Sequence, residues 1–333
     1  MVIYVTILSQ KGKKYRGIFS RPFTCKRGCV LYNASMKYKS IIIAGPTASG
    51  KSDFAHKLAL RINGAIINAD SVQIYRGIEN ISASPFAGKT GNFDEIDGVP
   101  YKLFSILPLN EHISVADYQS LARRAFDEVV AMGKTPILVG GTGYYINVLI
   151  NGISPIPNVS EQNRNRARNL VEQDIVAAKK LLPVDFAPTD PQRIARALEV
   201  FFETGKHLTE WQKMPRVGAI CPDALRVLIL PNRVTLIKRI ASRIPEMIRG
   251  GAINEAQNII DNDLDATRAI GAVQICDMLR GKISESDAIE NWIVKTNQYA
   301  KRQNTWFTRQ YGANIEIKNV PSDKDLERVI DMI

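Results

Sequence analysis

The residues of this chain with the clearest chemistry lie in one stretch, Ile41-Ile-Ile-Ala-Gly45-Pro46-Thr47-Ala48-Ser49-Gly50-Lys51-Ser52. From Gly45 onward it fits G-x-x-x-x-G-K-[ST]. In that pattern backbone N–H groups curl around an anion and the following helix directs its N-terminal dipole at it. Lys51 adds a point charge, and the Ser52 hydroxyl can hold Mg²⁺. The loop therefore calls for a diphosphate or triphosphate, without distinguishing them. Asp70 ends the apolar run Ala65-Ile-Ile-Asn-Ala-Asp70, where a carboxylate either faces the phosphate site or caps a following helix. Gly140-Gly141-Thr142-Gly143 follows another apolar run and offers either close backbone approach to a ligand, with a hydroxyl at Thr142, or a plain tight turn. Arg239 and Arg243, four apart, share a helix face and could reach back to a phosphate. Gln192, Arg193 and Arg196 form either a solvated basic face or a set of phosphate and base contacts.

These residues need elements to carry them. Ile41 to Ile43 reads as a buried strand, and Phe54, Ala55, Leu58 and Ala59 fall at helical spacing after Ser52. Gly64 marks the helix C-cap before the strand that ends at Asp70. Residues 78–98, rich in Gly, Ser and Pro, form a loop or lid. Ser114 opens a helix that closes near Gly133, and Pro136 to Val139 is the next parallel strand, which completes a βαβ crossover. Between Pro155 and Pro222 no strand-like run occurs, and Arg164, Arg166, Arg168, Lys179 and Lys180 sit on helical segments. Asp190-Pro191 caps and starts one helix there, with Ile194, Ala197, Leu198 and Phe201 on its apolar face, and Gly205 ends it. Leu225 to Leu230 returns to a buried strand, a helix with Leu236, Ile240, Ile244 and Met247 follows, and helices complete the chain. The basic run around Trp306 and Phe307 suits either RNA or an amphipathic helix.

Composition bounds the possibilities. The chain has 333 residues, 45% of them hydrophobic, and a net charge of +11. It is long enough for two domains, and no apolar run is long enough to span a membrane. Residues 1–39 hold nine Lys/Arg and no acid, so the rest carries 35 basic against 33 acidic residues. The total charge is therefore weak evidence for nucleic acid, and any RNA site must come from local patches. Cys25, Cys29, Cys221 and Cys276 are too scattered for a disulfide framework, which points to a reducing compartment such as the cytoplasm. Cys25 and Cys29 lack the second pair or histidine that zinc requires. Residues 1–35 lack the pattern of a secretory signal. Their acid-poor composition allows a transit peptide, but Tyr-Val-Thr-Ile reads as a strand. Met36, five residues before the first core strand, makes the segment either an upstream over-extension or a disordered arm.

Gly45 to Ser52, Asn68-Ala-Asp-Ser71, Gln73-Ile-Tyr-Arg-Gly77, Val139-Gly-Gly-Thr-Gly143, Asp190-Pro-Gln-Arg193, Arg196-Ala-Leu-Glu-Val200 and Ala300-Lys-Arg-Gln303 together resemble the tRNA dimethylallyltransferase family. The likeness runs in order from about Ser40 to Arg309. It implies an α/β fold, a P-loop NTPase-like core with a parallel sheet flanked by helices, plus a helical insertion domain. The corresponding division is a basic extension (1–39), the first part of the core (40–156), a tRNA-binding insertion (157–222) and the second part of the core (223–333). The implied reaction moves a dimethylallyl group from dimethylallyl diphosphate to N6 of the adenosine next to the tRNA anticodon, with Mg²⁺. The protein is then a monomer with no membrane partner. The resemblance assigns the diphosphate to Gly45, Pro46, Thr47, Ala48, Ser49, Gly50, Lys51, Ser52 and Arg239. It assigns catalysis to Asp70, Thr47, Thr142 and Arg243. tRNA contact falls to Asp70, Ser71, Val72, Gln73, Thr142, Arg164, Gln192, Arg193, Ile194, Ala195 and Arg196. The chain departs from the family pattern in three places. Ile81-Ser82-Ala83-Ser84-Pro85 stands for Gly-Thr-Ala-Lys-Pro, Tyr101-Lys102-Leu103 for His-His-Leu, and Ala272-Val273 for Tyr-Arg. A small-molecule kinase and a non-catalytic, nucleotide-gated RNA-binding protein are the alternative uses of the same loop.

Overall fold

The computed structural model describes residues 4–8, 14–18, 37–89, 91 and 94–333. Two compact units result, Met1–Ser35 and Met36–Ile333. In the first, β1 (Tyr4–Leu8) pairs antiparallel with β2 (Lys14–Ile18), so Tyr-Val-Thr-Ile is a strand. The readings on Cys25, Cys29 and Met36 lie outside the described residues.

The second unit begins with β3 (Ile41–Ala44), α1 (Lys51–Ile62), β4 (Gly64–Asn68), the hairpin β5 (Glu95–Ile96) and β6 (Val99–Lys102), α2 (Val115–Ala131), β7 (Thr135–Gly140) and α3 (Gly143–Asn151). Four helices follow: α4 (Glu161–Gln173), α5 (Ile175–Lys180), α6 (Pro191–Thr204) and α7 (Leu208–Lys213). Then come β8 (Leu225–Ile229), α8 (Arg233–Met247), α9 (Ile253–Asp261), α10 (Ala272–Leu279), α11 (Glu285–Gln310), β9 (Ile315–Ile317) and α12 (Asp323–Ile330).

The strands form one sheet in the order β5-β6-β4-β7-β3-β8-β9, parallel except for the β5/β6 hairpin. Continuous apolar runs such as Ile41-Ile-Ile-Ala44 are needed because both faces of a parallel sheet are covered. Alternate residues divide between two cores. Ile42, Ala44, Ile67, Leu138 and Leu228 join the side packed by α2, α8 and α11, while Ile41, Ile43, Ile66, Ile137 and Val227 face α1 and α12. β3 lies inside the sheet between β7 and β8, with β4 one strand removed across β7. The loop after β3 and the residues after β4 therefore emerge on the same edge of the sheet.

Some local expectations are corrected. The left-handed cap of α1 is Asn63 (φ 51°), whose side chain tolerates that region. Gly64 is instead buried in β4, where a Cβ would lie 2.6 Å from Ile137 Cδ1 and 3.1 Å from Ala59 Cα. The segment read as a loop through Gly98 contains β5, β6 follows it at once, and a strand, β9, interrupts the C-terminal helices. β5 and β9 are edge strands and β6 lies between β5 and β4, and all three have only two to four residues, too brief to show a period. The α2 start is as read, since Ser114 and Asp117 form a capping box. Helices α4, α5 and α6 enclose a small core of their own around Ala167, Val171, Ala178, Ile194 and Leu198. Asp190 caps α6 by accepting the Arg193 N–H at 3.0 Å, and Gly205 (φ 68°) ends it.

Candidate active site

The loop between β3 and α1 is held tightly from behind. A Cβ on Gly45 would lie 2.3 Å from the Ile229 carbonyl oxygen, so only glycine fits against β8. Ala48 (φ 63°) and Gly50 (φ 92°) take the left-handed conformation that lets the loop curl. Two amides of the loop are already taken, because Thr47 N–H donates to Gln303 Oε1 at 2.9 Å and Ser49 N–H to the Pro46 carbonyl at 3.3 Å. The Lys51 amine donates to the Pro46 carbonyl at 3.3 Å. From α8, Arg239 Nε donates to the Ala48 carbonyl and Arg243 donates to Thr47 Oγ1, both at 2.8 Å. The two arginines thus do reach back to the loop.

A cavity of about 390 Å³ opens here, within the range of small-molecule sites. Its walls include Thr47 to Asp53, Asp70 to Gln73, Ile81 to Ala83, Arg239 and Arg243. Ile244, Met247, Ile270, Trp292, Thr296 and Tyr299 supply a more apolar and aromatic side. Gly45 and Pro46 lie behind this surface and shape it through their backbone.

Charge in the cavity is unbalanced. Lys51, Arg239 and Arg243 bring three cations. Of the two acids in the walls, Asp53 is exposed and pairs with Lys57 at 3.5 Å. Burial pulls the Lys51 amine down from 10.5 to about 8, with Asp70 opposing the shift and Arg243 adding to it. Burial, then the neighbouring Arg239, also lowers Arg243. Three buried polar atoms in these walls have no hydrogen-bond partner among the described residues: Ser49 Oγ, Arg243 Nε and Thr296 Oγ1. Desolvated cations and unpaired donors gathered around one space are what a bound oxyanion would satisfy.

Asp70 is not a helix cap. Residues 71–74 are a turn and no helix follows through Gly77, and Asp70 Oδ1 accepts the Val72 N–H at 3.0 Å while Asn68 Oδ1 accepts the Asp70 N–H at 2.8 Å. The carboxylate is thereby braced at the cavity wall. Thr142 supports it from one residue away, accepting the Ser71 N–H at 2.9 Å and donating to Ser71 Oγ at 3.1 Å. Thr142 is absent from the cavity walls. The glycines around it admit protein rather than ligand. A Cβ on Gly140 would meet the Ala69 carbonyl oxygen at 2.0 Å, one on Gly141 would meet Gln303 Nε2 at 2.4 Å, and one on Gly143 would meet the Trp306 ring at 2.3 Å.

The other expected residues divide. Gln73 lines the cavity, but its amide donates to the Ser82 and Ala83 carbonyls at 3.2 and 3.0 Å. Ser71 and Val72 also line it. Arg164, on α4, and Gln192, Arg193 and Arg196, on α6, are exposed, whereas Ile194 and Ala195 are buried. Arg193 pairs with Asp190, and Arg196 with the nearly buried Glu199 at 3.0 Å. Trp306 and Phe307 pack into the core beside α3, so the amphipathic-helix reading of that run holds. At the departures from the family pattern, Ile81 is buried and lines the cavity. Tyr101 packs against Phe86 and Phe104 and bonds His56 Nδ1 at 2.9 Å, Lys102 pairs with Glu128, and Ala272 is buried.

Sequence reasoning missed the contribution of α11. Trp292, Thr296, Tyr299 and Gln303 form a stripe at helical spacing, of which the first three line the cavity. Gln303 joins two loops: it accepts from Thr47 N and donates to the Gly141 carbonyl at 2.8 Å. Tyr299 interacts with the Thr142 and Gln303 side chains, and burial raises its hydroxyl well above the usual range. The stripe was visible in the periodicity, but not which face of the sheet it would meet.

A parallel sheet with a phosphate-binding loop after an interior strand, cations converging on it and a carboxylate at the next cavity wall defines an α/β protein of the P-loop type, built around a phosphorylated ligand. The chain belongs to the IPP transferase family: residues 73–310 match the family of that description, and residues 38–95 match the one described as isopentenyl transferase. It is 37% identical over 292 residues to a tRNA dimethylallyltransferase of Rickettsia felis, covering 82% of this chain and 91% of the relative. It is 36% identical over 296 residues to a tRNA dimethylallyltransferase of Agrobacterium fabrum, covering 85% and 97%. Among solved structures, a tRNA isopentenylpyrophosphate transferase of Bacillus halodurans matches with a TM-score of 0.62 at 31% identity, over 89% of this chain and 95% of that one. A eukaryotic dimethylallyltransferase acting on tRNA shares the fold, with a TM-score of 0.68 at 24% identity over 87% and 77% of the two chains.

Proposed function

We propose that this protein transfers the dimethylallyl group of dimethylallyl diphosphate to N6 of the adenosine 3′-adjacent to the anticodon of tRNA, giving N6-(dimethylallyl)adenosine and diphosphate. The observation that carries the reading is the shared cavity, in which Lys51, Arg239 and Arg243 converge opposite Asp70. An allylic C–O bond breaks readily if the departing diphosphate is neutralised, and these cations with the hydroxyls and remaining free amides of Thr47 to Ser52 do that. The new bond forms between the allylic carbon and N6, whose proton leaves to Asp70. Arg243 also fixes Thr47, so the leaving-group site is set before the donor arrives. The target base leaves the loop stack to reach the buried donor.

Mg²⁺ fits the donor set. Ser52 and Asp70 offer hard oxygen atoms in the cavity, and no cluster of three His, Cys, Asp or Glu suited to a metal occurs among the described residues. The ion would therefore rest on the Ser52 hydroxyl and the diphosphate oxygens, where it would supply leaving-group charge neutralisation. The exposed Arg164, Gln192, Arg193 and Arg196 serve the anticodon stem-loop, and the protein acts as a cytoplasmic monomer. No helix among the described residues is long and apolar enough to cross a membrane.

A kinase is disfavoured by the strands beside β3. β7 runs into Gly140-Gly141 and β8 into Leu230-Pro231, so neither ends in a carboxylate. The test is incubation of tRNA with dimethylallyl diphosphate and Mg²⁺ without ATP, followed by nucleoside mass spectrometry. Prenylated adenosine is expected. An absolute ATP requirement with ADP release would make the protein a kinase, and neither product would leave an RNA-binding protein.

A further inference from the structure

The segment Asn80–Ala83 has no regular secondary structure, yet Ile81, Ser82 and Ala83 form one wall of the donor cavity. It is gripped from outside by one side chain on α9. Glu255 Oε1 accepts the Asn80 backbone N–H at 2.7 Å and the Asn80 side-chain amide at 2.8 Å, and its Oε2 accepts the Ile81 N–H at 2.8 Å. No ion pair among the described residues includes Glu255. Taking a carboxylate from water is unfavourable, and among the described residues N–H donors of this one segment offset it. Burial raises the Glu255 carboxyl above its ordinary range, and the three N–H donors oppose that.

The surroundings fit the same purpose. Pro245 near the end of α8 and the wide turn Ile248–Ala252 redirect the chain into α9, with Gly251 at φ 122°. Asn80 sits on this turn: a Cβ on Gly250 would lie 3.0 Å from Asn80 Oδ1, and one on Gly251 would lie 3.3 Å from Asn80 Nδ2. From the opposite side Gln73 donates to the Ser82 and Ala83 carbonyls. The segment is thus held at its amides by Glu255 and at its carbonyls by Gln73. The Glu255 anchor is on the chain that continues from Arg239 and Arg243.

We infer that Glu255 is a positioning residue for the donor: it clamps Asn80–Ala83 against the cation-bearing half of the site, so that Ile81 and Ala83 close the apolar side of the cavity on the prenyl group. The inference rests on the donor reading above. A clamp of this kind acts on ground-state donor binding and not on the RNA.

The test uses full-length Glu255→Ala and Glu255→Gln. In Glu255→Ala all three acceptor contacts are lost. In the near-isosteric Glu255→Gln an amide NH₂ faces a backbone N–H, so part of the grip goes while the volume stays. Hydrogen exchange at Asn80–Ala83 should accelerate in both. The KM for dimethylallyl diphosphate should rise about tenfold in Glu255→Ala and less in Glu255→Gln, the scale of one lost charge-assisted hydrogen bond. The KM for tRNA should stay within about twofold of the parent, since no RNA contact is removed. A lower melting temperature with an unchanged donor KM would reduce Glu255 to scaffold and overturn the inference. If Glu255→Ala does not fold, Glu255→Gln decides by the same two measurements. Hydrogen exchange reads the clamp whether or not the parent uses this donor, and unchanged exchange in Glu255→Gln overturns it. Failure of the parent to turn over the donor would instead sink the reading beneath.

Discussion

Lys51 carries a charge into a space where it meets two arginines and one braced carboxylate. Its amine titrates at about 8 when folded against 10.5 when free, so between those values the unfolded chain binds more protons. The unfavourable contribution of the buried charge is therefore fully present below about pH 8 and fades as pH rises toward 10.5, where the free protein gains stability. Diphosphate affinity has the opposite sense, because the anion binds the protonated amine. Calorimetric titration with inorganic pyrophosphate should show affinity falling as pH rises through about 8, with that step missing in Lys51→Ala, which shares the titration of the ligand itself. Asp70 makes a second prediction. Asn can still accept the Val72 N–H and keep the turn, but it cannot take a proton from N6. Asp70→Asn should therefore melt close to the parent while single-turnover transfer drops by about 10² to 10⁴. Near-parental transfer would return Asp70 to a purely structural role.

At the scale of elements, the site depends on α11 reaching across the ends of the sheet. Gln303 satisfies Thr47 N–H and the Gly141 carbonyl together, so Gln303→Ala leaves two inward backbone groups unpaired. A loss of ~1–3 kcal/mol per group is expected in chemical denaturation, accompanied by weaker pyrophosphate binding. tRNA affinity should change little. The end of β7 is equally confined. Gly140→Ala would drive a methyl group into the Ala69 carbonyl, directly before Asp70. The overpacking should destabilise by ~1–3 kcal/mol and lower transfer more than it lowers tRNA binding. A variant as stable and active as the parent would mean that β4 and β7 part there without strain.

Across the whole molecule, the donor cavity and the exposed arginines of α6 belong to different parts of the unit, each with its own core. Arg193 is 75% exposed and, among the described residues, pairs with Asp190 alone, whereas Arg196 helps Arg168 balance a Glu199 that is 8% exposed. Arg193→Ala is thus the cleaner probe of RNA contact. It should weaken tRNA affinity and reduce the salt dependence by about one phosphate contact, without changing donor binding. Identical binding across a salt series would show an ordinary solvated face. All the cavity residues lie in the Met36–Ile333 unit, so a chain lacking residues 1–35 should retain the parental transfer rate in the same assay.

The alternation of glycines, lysine and hydroxyl at Gly45–Ser52, the apolar runs of β3, β4, β7 and β8 and the capped α2 and α6 were legible in sequence because each is a local property: a φ the chain must adopt, a period, a donor without a partner. So was the return of Arg239 and Arg243 toward the loop, since their spacing and the parallel strand before them left few other directions. The meaning of Gly140, Gly141 and Gly143 was not legible. A glycine reports that something comes close, and only the packed structure shows that it is Ala69, Gln303 and Trp306. The short strands β5, β6 and β9 escaped because pairing with neighbouring strands supplies what their length and periodicity lack. The Asp70 turn, the link from Gln303 to two loops and the grip of Glu255 on Asn80 and Ile81 join residues 2, 162, 256, 175 and 174 positions apart. No local pattern encodes a partner at the longer of these separations, and the folded sheet decides which side chains meet.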